Sequence, residues 1–129
     1  MAIGVFDERT VLSGVVLMVP ADGTATKIIA AANSSDRRVD AIVVSNRDGI
    51  AHVVNVSIVI GGVTVQLGSV SIAAGQGYVG TPGIDLLAAV LPATQVGVNL
   101  APSATINVTL TVAIVATFDM SFWVAGGVF

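Results

Sequence analysis

The sequence predicts an all-β protein, an antiparallel two-sheet β-sandwich of about eight strands. Three observations lead to this fold class. Apolar and polar residues alternate with the period of two that places successive side chains on opposite faces of a strand. Clusters of Gly, Pro, Asn and Asp interrupt the alternation at intervals of roughly 8 to 12 residues, and helical spacing is nearly absent. Periodicity alone does not separate a sandwich from a closed barrel, but the strand number favours the sandwich.

The clearest strand covers residues 105–115. Its apolar side chains point one way: Ile106, Val108, Leu110, Val112 and Ile114. The intervening side chains point the other way: Thr105, Asn107, Thr109, Thr111 and Ala113. A strand of this kind has one face in the core and the other in solvent, so we expect Leu110 inside and Thr109 outside.

A second unit begins with two β-branched runs, residues 39–45 and 51–60. They are separated by Asn46-Arg47-Asp48-Gly49, in which Asn and Asp favour a turn and Gly accepts a positive φ. This arrangement predicts that the two runs form a hairpin.

The same unit continues through Gly61-Gly62, a two-residue connection of the kind that tight hairpins need. It leads into a third run, residues 63–67, which completes a predicted meander of three antiparallel strands. After Leu67 the apolar phase slips by one residue at Gly68, which predicts a β-bulge or a change of strand.

The remaining predicted elements are shorter, and together they complete one domain. Four more runs predict strands: residues 15–19, 24–32, 96–100 and 118–124. The Leu and Ala content of residues 84–91 permits one short helix. Residues 1–12 are expected to form an N-terminal arm and residues 13–129 a single β-sandwich domain, since one core typically serves roughly 100 to 200 residues.

Charge is scarce along the chain. Charged residues make up 10% of the sequence, against about 25% in ordinary soluble domains, while 54% of the residues are hydrophobic. Either the surface is rich in Thr, Ser, Asn and Gly, or partner subunits cover much of it. We expect the chain to self-associate as a homo-oligomer, a trimer or a closed ring.

Composition also excludes several classes of function. Cysteine is absent, which excludes thiol nucleophiles, thiolate metal sites and disulfide scaffolds. The basic residues are too scattered to track a phosphate backbone: Arg9, Lys27, Arg37, Arg38 and Arg47. The sequence has no uninterrupted run of 18 or more apolar residues, which is about the length that a membrane-spanning helix needs. We therefore expect no nucleic acid, membrane, cofactor or small-molecule substrate as a partner.

His52 is the only histidine, so any Ser-His-Asp site or histidine-dependent metal site must use it. In the run 51–60 it shares a face with Val54 and Val56, directly after a turn. This position predicts a structural residue at a strand end, with its ring tipped into solvent.

The acidic residues stand mostly singly, in turns. Asp22, Asp36 and Asp48 have Gly, Ser or Arg as neighbours, and turn chemistry explains them. Asp40 and Asp85 are a pair that folding could bring together, but the spacing of a calcium loop is absent. We expect no catalytic residue, no metal site and no enzyme activity.

Four of the six aromatic Phe, Trp and Tyr residues lie at the carboxyl end: Phe118, Phe122, Trp123 and Phe129. One face of the predicted strand is expected in the core: Phe118, Met120, Phe122 and Val124. Trp123 faces the opposite way, which indicates either a lid over the sandwich edge or an interface anchor. The candidate interface residues are Phe6, Trp123 and Phe129.

Several segments between residues 12 and 125 form a recognisable series. They are Pro20-Ala21-Asp22-Gly23-Thr24-Ala25-Thr26, Ile42-Val43-Val44-Ser45-Asn46, residues 63–67, Ile72-Ala73-Ala74-Gly75-Gln76 and a late strand that alternates Thr with Val. In this series the chain resembles small bacteriophage virion proteins. Leu91-Pro92-Ala93-Thr94 departs from it, since such proteins often have a Gly-Asp pair there.

The resemblance implies an immunoglobulin-like or jelly-roll sandwich that decorates capsids or builds necks, tails and fibres. We expect a non-catalytic virion protein, made in the host cytoplasm, that serves as a capsid decoration or cement subunit. Its partners would be copies of itself and the major capsid protein or other virion proteins. A tail, neck or fibre component is the alternative, and a carbohydrate-binding sandwich module is a more distant one.

Overall fold

The computed structural model describes residues 10–78 and 80–128, which form nine β-strands and one short α-helix. In chain order the elements are β1 (Thr10–Met18), a 3-10 turn (Pro20–Asp22), β2 (Lys27–Ala31), β3 (Arg37–Asn46), β4 (His52–Ile60), β5 (Val63–Ile72), β6 (Ile84–Asp85), α1 (Leu86–Val90), β7 (Val98–Leu100), β8 (Thr105–Leu110) and β9 (Met120–Val128).

Two antiparallel sheets pack face to face, which confirms the predicted all-β sandwich. Sheet A has the order β1-β9-β3, and both β6 and β7 pair with the far side of β3. Sheet B has the order β2-β8-β4-β5. Each sheet buries one face, as expected for antiparallel sheets whose strands alternate apolar and polar side chains.

The core lies between the sheets and consists of their inward residues. Phe122 and Ile42 from sheet A and Ile106 from sheet B have no exposed surface. Leu86 and Leu87 of α1 are also buried and contribute to the same core. Because α1 contacts both β3 and β5, it closes one side of the sandwich between the two sheets.

The predicted hairpin between the runs 39–45 and 51–60 is wrong. The two runs form β3 and β4, which belong to different sheets, so the chain crosses the end of the sandwich between them. The buried side chain of Asn46 stabilises this crossover, because its amide nitrogen donates to the carbonyl oxygens of Ile50 and Ala73 at 3.0 and 3.1 Å. A turn sequence read from local chemistry alone does not reveal which sheet receives the next strand.

The second half of the predicted meander is correct. β4 and β5 form a hairpin whose two connecting residues, Gly61 and Gly62, both have positive φ values, 57° and 81°. The predicted bulge is also present, since Val56 pairs with Gly68 and the next residue of β4 pairs with Gln66, which leaves Leu67 as the extra residue.

Two predicted strands have different limits in the structure. The strand predicted over residues 105–115 ends at Leu110, which lies opposite Val54 near the start of the antiparallel β4, and Val112 beyond it is 54% exposed. Phe118, predicted in the core, is exposed instead, because it lies in a turn before β9 begins. The predicted helix is confirmed as α1, and the Asp85 carboxylate accepts the Leu87 N–H at its amino terminus.

β1 pairs with β9 from Thr10 onwards, so residues 10–12 of the predicted arm belong to sheet A. The rest of the arm lies outside the described residues. Two of the three candidate interface residues, Phe6 and Phe129, lie there as well.

Candidate functional site

Trp123 lies on β9 and points away from the core. Its register partners are Val15 on β1 and Val43 on β3, and its side chain is 47% exposed. Because β9 is flanked by strands on both sides, Trp123 lies in the middle of sheet A. It therefore does not lie where a lid over the edge of the sandwich would lie, and its role as an interface anchor stays a prediction.

The residues around Trp123 form a continuous uncharged surface on the outside of sheet A. We call it the Trp123 face, and define it by the outward residues Val15, Leu17, Ala41, Val43, Ser45, Ser121, Trp123 and Ala125. Val15 and Leu17 are 62% and 49% exposed. A contiguous apolar area on the surface of a soluble protein is a mark of an interaction site.

Charged residues border the Trp123 face at both ends of β3. At one end the Arg38 guanidinium contacts the Asp40 carboxylate at 2.9 Å. At the other, Arg47 contacts Asp119 at 3.5 Å. An apolar centre with a polar rim is the usual composition of a protein interface, and each end of this one carries both signs of charge.

The outer face of sheet B has a different composition. Its outward residues are mostly hydroxyl and amide side chains: Asn55, Ser57, Thr64, Gln66, Ser69, Ser71, Thr105, Asn107 and Thr109. Val53 and Ile28, on the same face, are 37% and 54% exposed, whereas Ser57 and Asn107 at its centre are only 8% exposed. Such groups bind water without charge, so this face can remain in contact with solvent.

His52 is not the exposed strand-end residue that the sequence predicts. Its side chain is buried, and Nε2 lies 2.7 Å from Oδ2 of the buried Asp48. The alternation places His52 on the inward phase of β4, and the crossover from β3 supplies the partner that makes burial of the ring tolerable. Asp48, which the sequence explains by turn chemistry, is also buried and pairs with His52.

The Asp48 carboxylate is a junction between distant segments. The same Oδ2 accepts the Val115 N–H at 2.9 Å, so Asp48 connects the β3–β4 crossover to the segment between β8 and β9. Burial raises the pKa of Asp48, but hydrogen bonds from the Val115 N–H, the His52 ring and the Gly49 N–H outweigh it, and the pKa lies below its ordinary 3.8. The carboxyl group is therefore ionised at neutral pH.

The Asp48–His52 pair has no route to a substrate in the part of the chain that the structure describes. Both side chains have zero exposed surface, and His52 Nδ1 and Asp48 Oδ1 make no hydrogen bond. A general base must come within hydrogen-bond reach of the proton that it abstracts. The arrangement fits a structural junction inside the fold.

Sequence reasoning missed this pair, although a signal was present. Asp48 and His52 are four residues apart across a predicted turn, and His52 falls on the apolar phase of its strand. A titratable residue on an inward phase needs a buried partner. Asp48, the carboxylate nearest to His52 in the sequence, was therefore the candidate for its buried partner.

Asp40 and Asp85, the acidic pair that the sequence singles out, do line one cleft of about 190 Å³, together with Ala88, Pro92 and Val96. Both carboxylates serve the fold. Asp40 contacts Arg38, as described above, and Asp85 accepts the N–H groups of residues 42 and 87 at 3.2 and 3.1 Å. Residues 10–78 and 80–128 contain no cluster of three side chains suited to hold a metal ion.

No helix within the described part of the chain has both the length and the apolar character needed to cross a membrane. In comparisons with known proteins, the chain matches no protein-family model, no curated protein and no solved structure.

Proposed function

We propose that the protein is a non-catalytic structural subunit of a virion, and that copies of it associate through the Trp123 face. The observation that carries this proposal is the uncharged surface on the outside of sheet A, with Trp123 at its centre and charged pairs at its ends. Capsid decoration or cement is the role we assign, after synthesis in the host cytoplasm. The resemblance of the sequence to small phage virion proteins supports that assignment.

The apolar side chains of the Trp123 face are exposed to water in the free subunit. Val15, Leu17 and Trp123 each leave about half or more of their surface in water. Removing apolar area from water contributes about 25 cal/mol per Å², from which the entropy lost on association is subtracted. Tryptophan is also the residue type most enriched among the few that dominate binding energy at interfaces. A neighbouring subunit that covers this face removes these apolar side chains from water.

The occupant that fits best is a second copy of the chain. The two ends of the face carry a positive and a negative group each, so two copies can align without opposing like charges. A trimer or a closed ring uses such a contact repeatedly. The assembled oligomer would then bind the major capsid protein or another virion protein, and a tail, neck or fibre position is the alternative location.

The self-association is tested by sedimentation velocity at micromolar concentration on wild type and Trp123→Ser. We expect the wild type to sediment as an oligomer and Trp123→Ser to shift towards the monomer. Val53→Ser is the matched control, since it changes an exposed apolar residue on the outer face of sheet B. A monomeric wild type, or an oligomer unaffected by Trp123→Ser, would contradict the proposed role of the face.

The virion assignment needs a separate measurement. Purified particles from cells that express the gene should contain the chain at a stoichiometry comparable to other structural proteins, as measured by mass spectrometry, and imaging should locate it in the particle. Absence of the chain from the particles would overturn the assignment while leaving the self-association intact.

A further inference from the structure

The edges of the two sheets differ in how well they are protected from pairing with another strand. An exposed edge presents unpaired N–H and C=O groups, and proteins usually protect it by short length, a bulge, a proline or a charged side chain, lysine above all. The described edges are β1 and the pair β6 and β7 in sheet A, and β2 and β5 in sheet B.

The β2 edge has every one of these protections except proline. It is five residues long, its register shifts between Ile28 and Ala30, and it begins with Lys27. At its other end the Arg37 guanidinium donates to the Ala31 carbonyl at 3.1 Å. A foreign strand would have to displace a cation at either end.

Sheet A is protected at the carboxyl end of β1 and along its opposite edge. The ammonium group of Lys27 donates to the Leu17 carbonyl of β1 at 2.8 Å, which places a charge at the end of that edge. On the opposite side of the sheet, β6 and β7 are two and three residues long, too short to template a stable strand pair.

β5 has a bulge at Leu67 but lacks the other protections. It has ten residues, none of them charged and none of them proline, and no lysine or arginine in the described part of the chain donates to one of its carbonyl groups. α1 covers the edge at the bulge, where a Cβ on Gly68 would lie 3.2 Å from Val90 Cγ1. Beyond the bulge, residues 63–66 are exposed throughout.

The exposed end of the β4–β5 hairpin is also apolar. Ile60, Val63 and Val65 are 48%, 63% and 48% exposed, and the register places Ile60 opposite Val63. We call residues 60–66 the β5 arm. An uncharged apolar edge of this kind is the situation that edge protection normally prevents.

We propose that the β5 arm pairs, antiparallel and about a twofold axis, with the β5 arm of a second copy of the chain. Antiparallel pairing of a strand with itself is isologous, so each arm satisfies the groups of the other in the same way. Neither arm carries a charge that would repel its copy. The inference rests on the proposed function in one respect, since an assembly supplies the high local concentration of copies.

The size of the arm determines how the contact behaves. It offers on the order of 300 to 400 Å² per copy, about half of the roughly 800 Å² per partner in a stable interface of standard size. The isolated contact is therefore weak and forms where other contacts already hold the copies together. It would join oligomers that are built on the Trp123 face into a larger lattice.

Disulfide trapping tests the arm without depending on its affinity. The chain has no cysteine, so Thr64→Cys, Val65→Cys and Gln66→Cys each provide a single thiol. Two thiols join readily only where their Cα atoms come within about 7 Å. We expect at least one of the three variants to form disulfide dimers more than about tenfold faster than Thr109→Cys, whose thiol lies on the same sheet face as residues 64 and 66 but on an interior strand.

A second substitution identifies the edge as the cause. Val65→Lys, combined with Thr64→Cys or Gln66→Cys, should reduce cross-linking to the rate of Thr109→Cys, whereas Val53→Lys in the same backgrounds should not. Circular dichroism verifies that each variant is folded. Cross-linking of all three arm variants at the control rate, or cross-linking unaffected by Val65→Lys, would overturn the inference.

The two proposals fail in distinguishable ways. If Trp123→Ser dissociates the oligomer while the arm thiols still cross-link at high concentration, both contacts stand. If Trp123→Ser dissociates the oligomer and the arm thiols react at the control rate, the arm inference fails alone. If the arm thiols cross-link and Trp123→Ser has no effect on sedimentation, the role of the Trp123 face fails alone.

Discussion

The two outer faces of the sandwich both carry little charge, yet they are built differently. Sheet B exposes mostly Ser, Thr, Asn and Gln side chains, with Ile28 and Val53 as its large apolar exceptions, whereas sheet A exposes Val15, Leu17 and Trp123. Hydroxyl and amide groups hydrate without charge, but valine, leucine and tryptophan do not. The low charge content of the chain therefore produces one mostly polar outer face and one apolar outer face, and the average composition does not distinguish them.

The difference also bears on how a face should be judged. A lack of charge does not by itself mark an interface, because the outer face of sheet B lacks charge and is polar. The informative feature of sheet A is that large apolar groups are adjacent across three strands. Cross-strand register, rather than composition, makes Val15, Trp123 and Val43 neighbours.

The largest expected effect is on the free energy of unfolding, and it compares the inward and outward sides of β8 in sheet B. Leu110 is 2% exposed, and Leu110→Ala should cost about 2 to 5 kcal/mol of unfolding free energy because it leaves a cavity. Thr109→Ala, on the outer face, should cost less than about 1 kcal/mol. Urea unfolding measures both, and equal costs would show that the inward and outward faces of β8 are assigned wrongly.

A smaller effect concerns pH, and it comes from the buried carboxylate of Asp48. The lowered pKa of Asp48 means that its ionised form stabilises the fold fully above about pH 4. That stabilisation is lost as the pH falls through the folded-state pKa. Asp48→Asn should cost about 1.5 to 3 kcal/mol at neutral pH, since it removes the charge from a buried hydrogen-bond junction.

The measurement is the free energy of unfolding of wild type and Asp48→Asn at a series of pH values. The difference between the two should shrink below about pH 4. Asp22, whose pKa is lowered first by the Val19 N–H and then by Lys27, is present in both proteins and cancels in the difference. A difference that stays constant down to acidic pH would contradict an ionised Asp48 at this position.

The smallest expected change in stability comes from exchanging the character of the faces. Val15→Thr with Leu17→Thr makes sheet A resemble sheet B, and should change the unfolding free energy by less than about 1 kcal/mol while weakening self-association. Asn55→Val with Thr109→Val does the reverse on sheet B. Sedimentation that responds to neither exchange would mean that apolar surface does not govern association.

Sequence alternation predicted the fold class because each strand buries one face, and this leaves a local pattern. The Gly61–Gly62 turn and the bulge at Gly68 were predictable for the same reason, since their causes lie within a few residues. The division of strands between the sheets was not predictable in this way. The hairpin predicted across Asn46 fails because the contacts that hold the crossover come from Ile50 and Ala73, and the latter is distant in sequence.

The candidate site was predicted in part. The position of Trp123 on the face opposite Phe122 follows from alternation within β9. Its neighbours do not, because Val15 lies more than a hundred positions away and its register is set only when β1 and β9 pair. The burial of His52 was missed for a related reason, since the crossover geometry that delivers Asp48 is invisible to a pattern of period two.

The place of β9 between β1 and β3 also makes the pairing of sheet A depend on distant parts of the chain. Every strand of sheet B lies between residues 27 and 110, so that sheet can form from a continuous part of the chain. Sheet A has no central strand until residues 120–128 insert, and until then β1 and β3 have no contact through which to pair. Pairing over so long a separation slows folding, and it is needed in sheet B as well, where Lys27 pairs with Val108, so we expect the sandwich to fold slowly for its size.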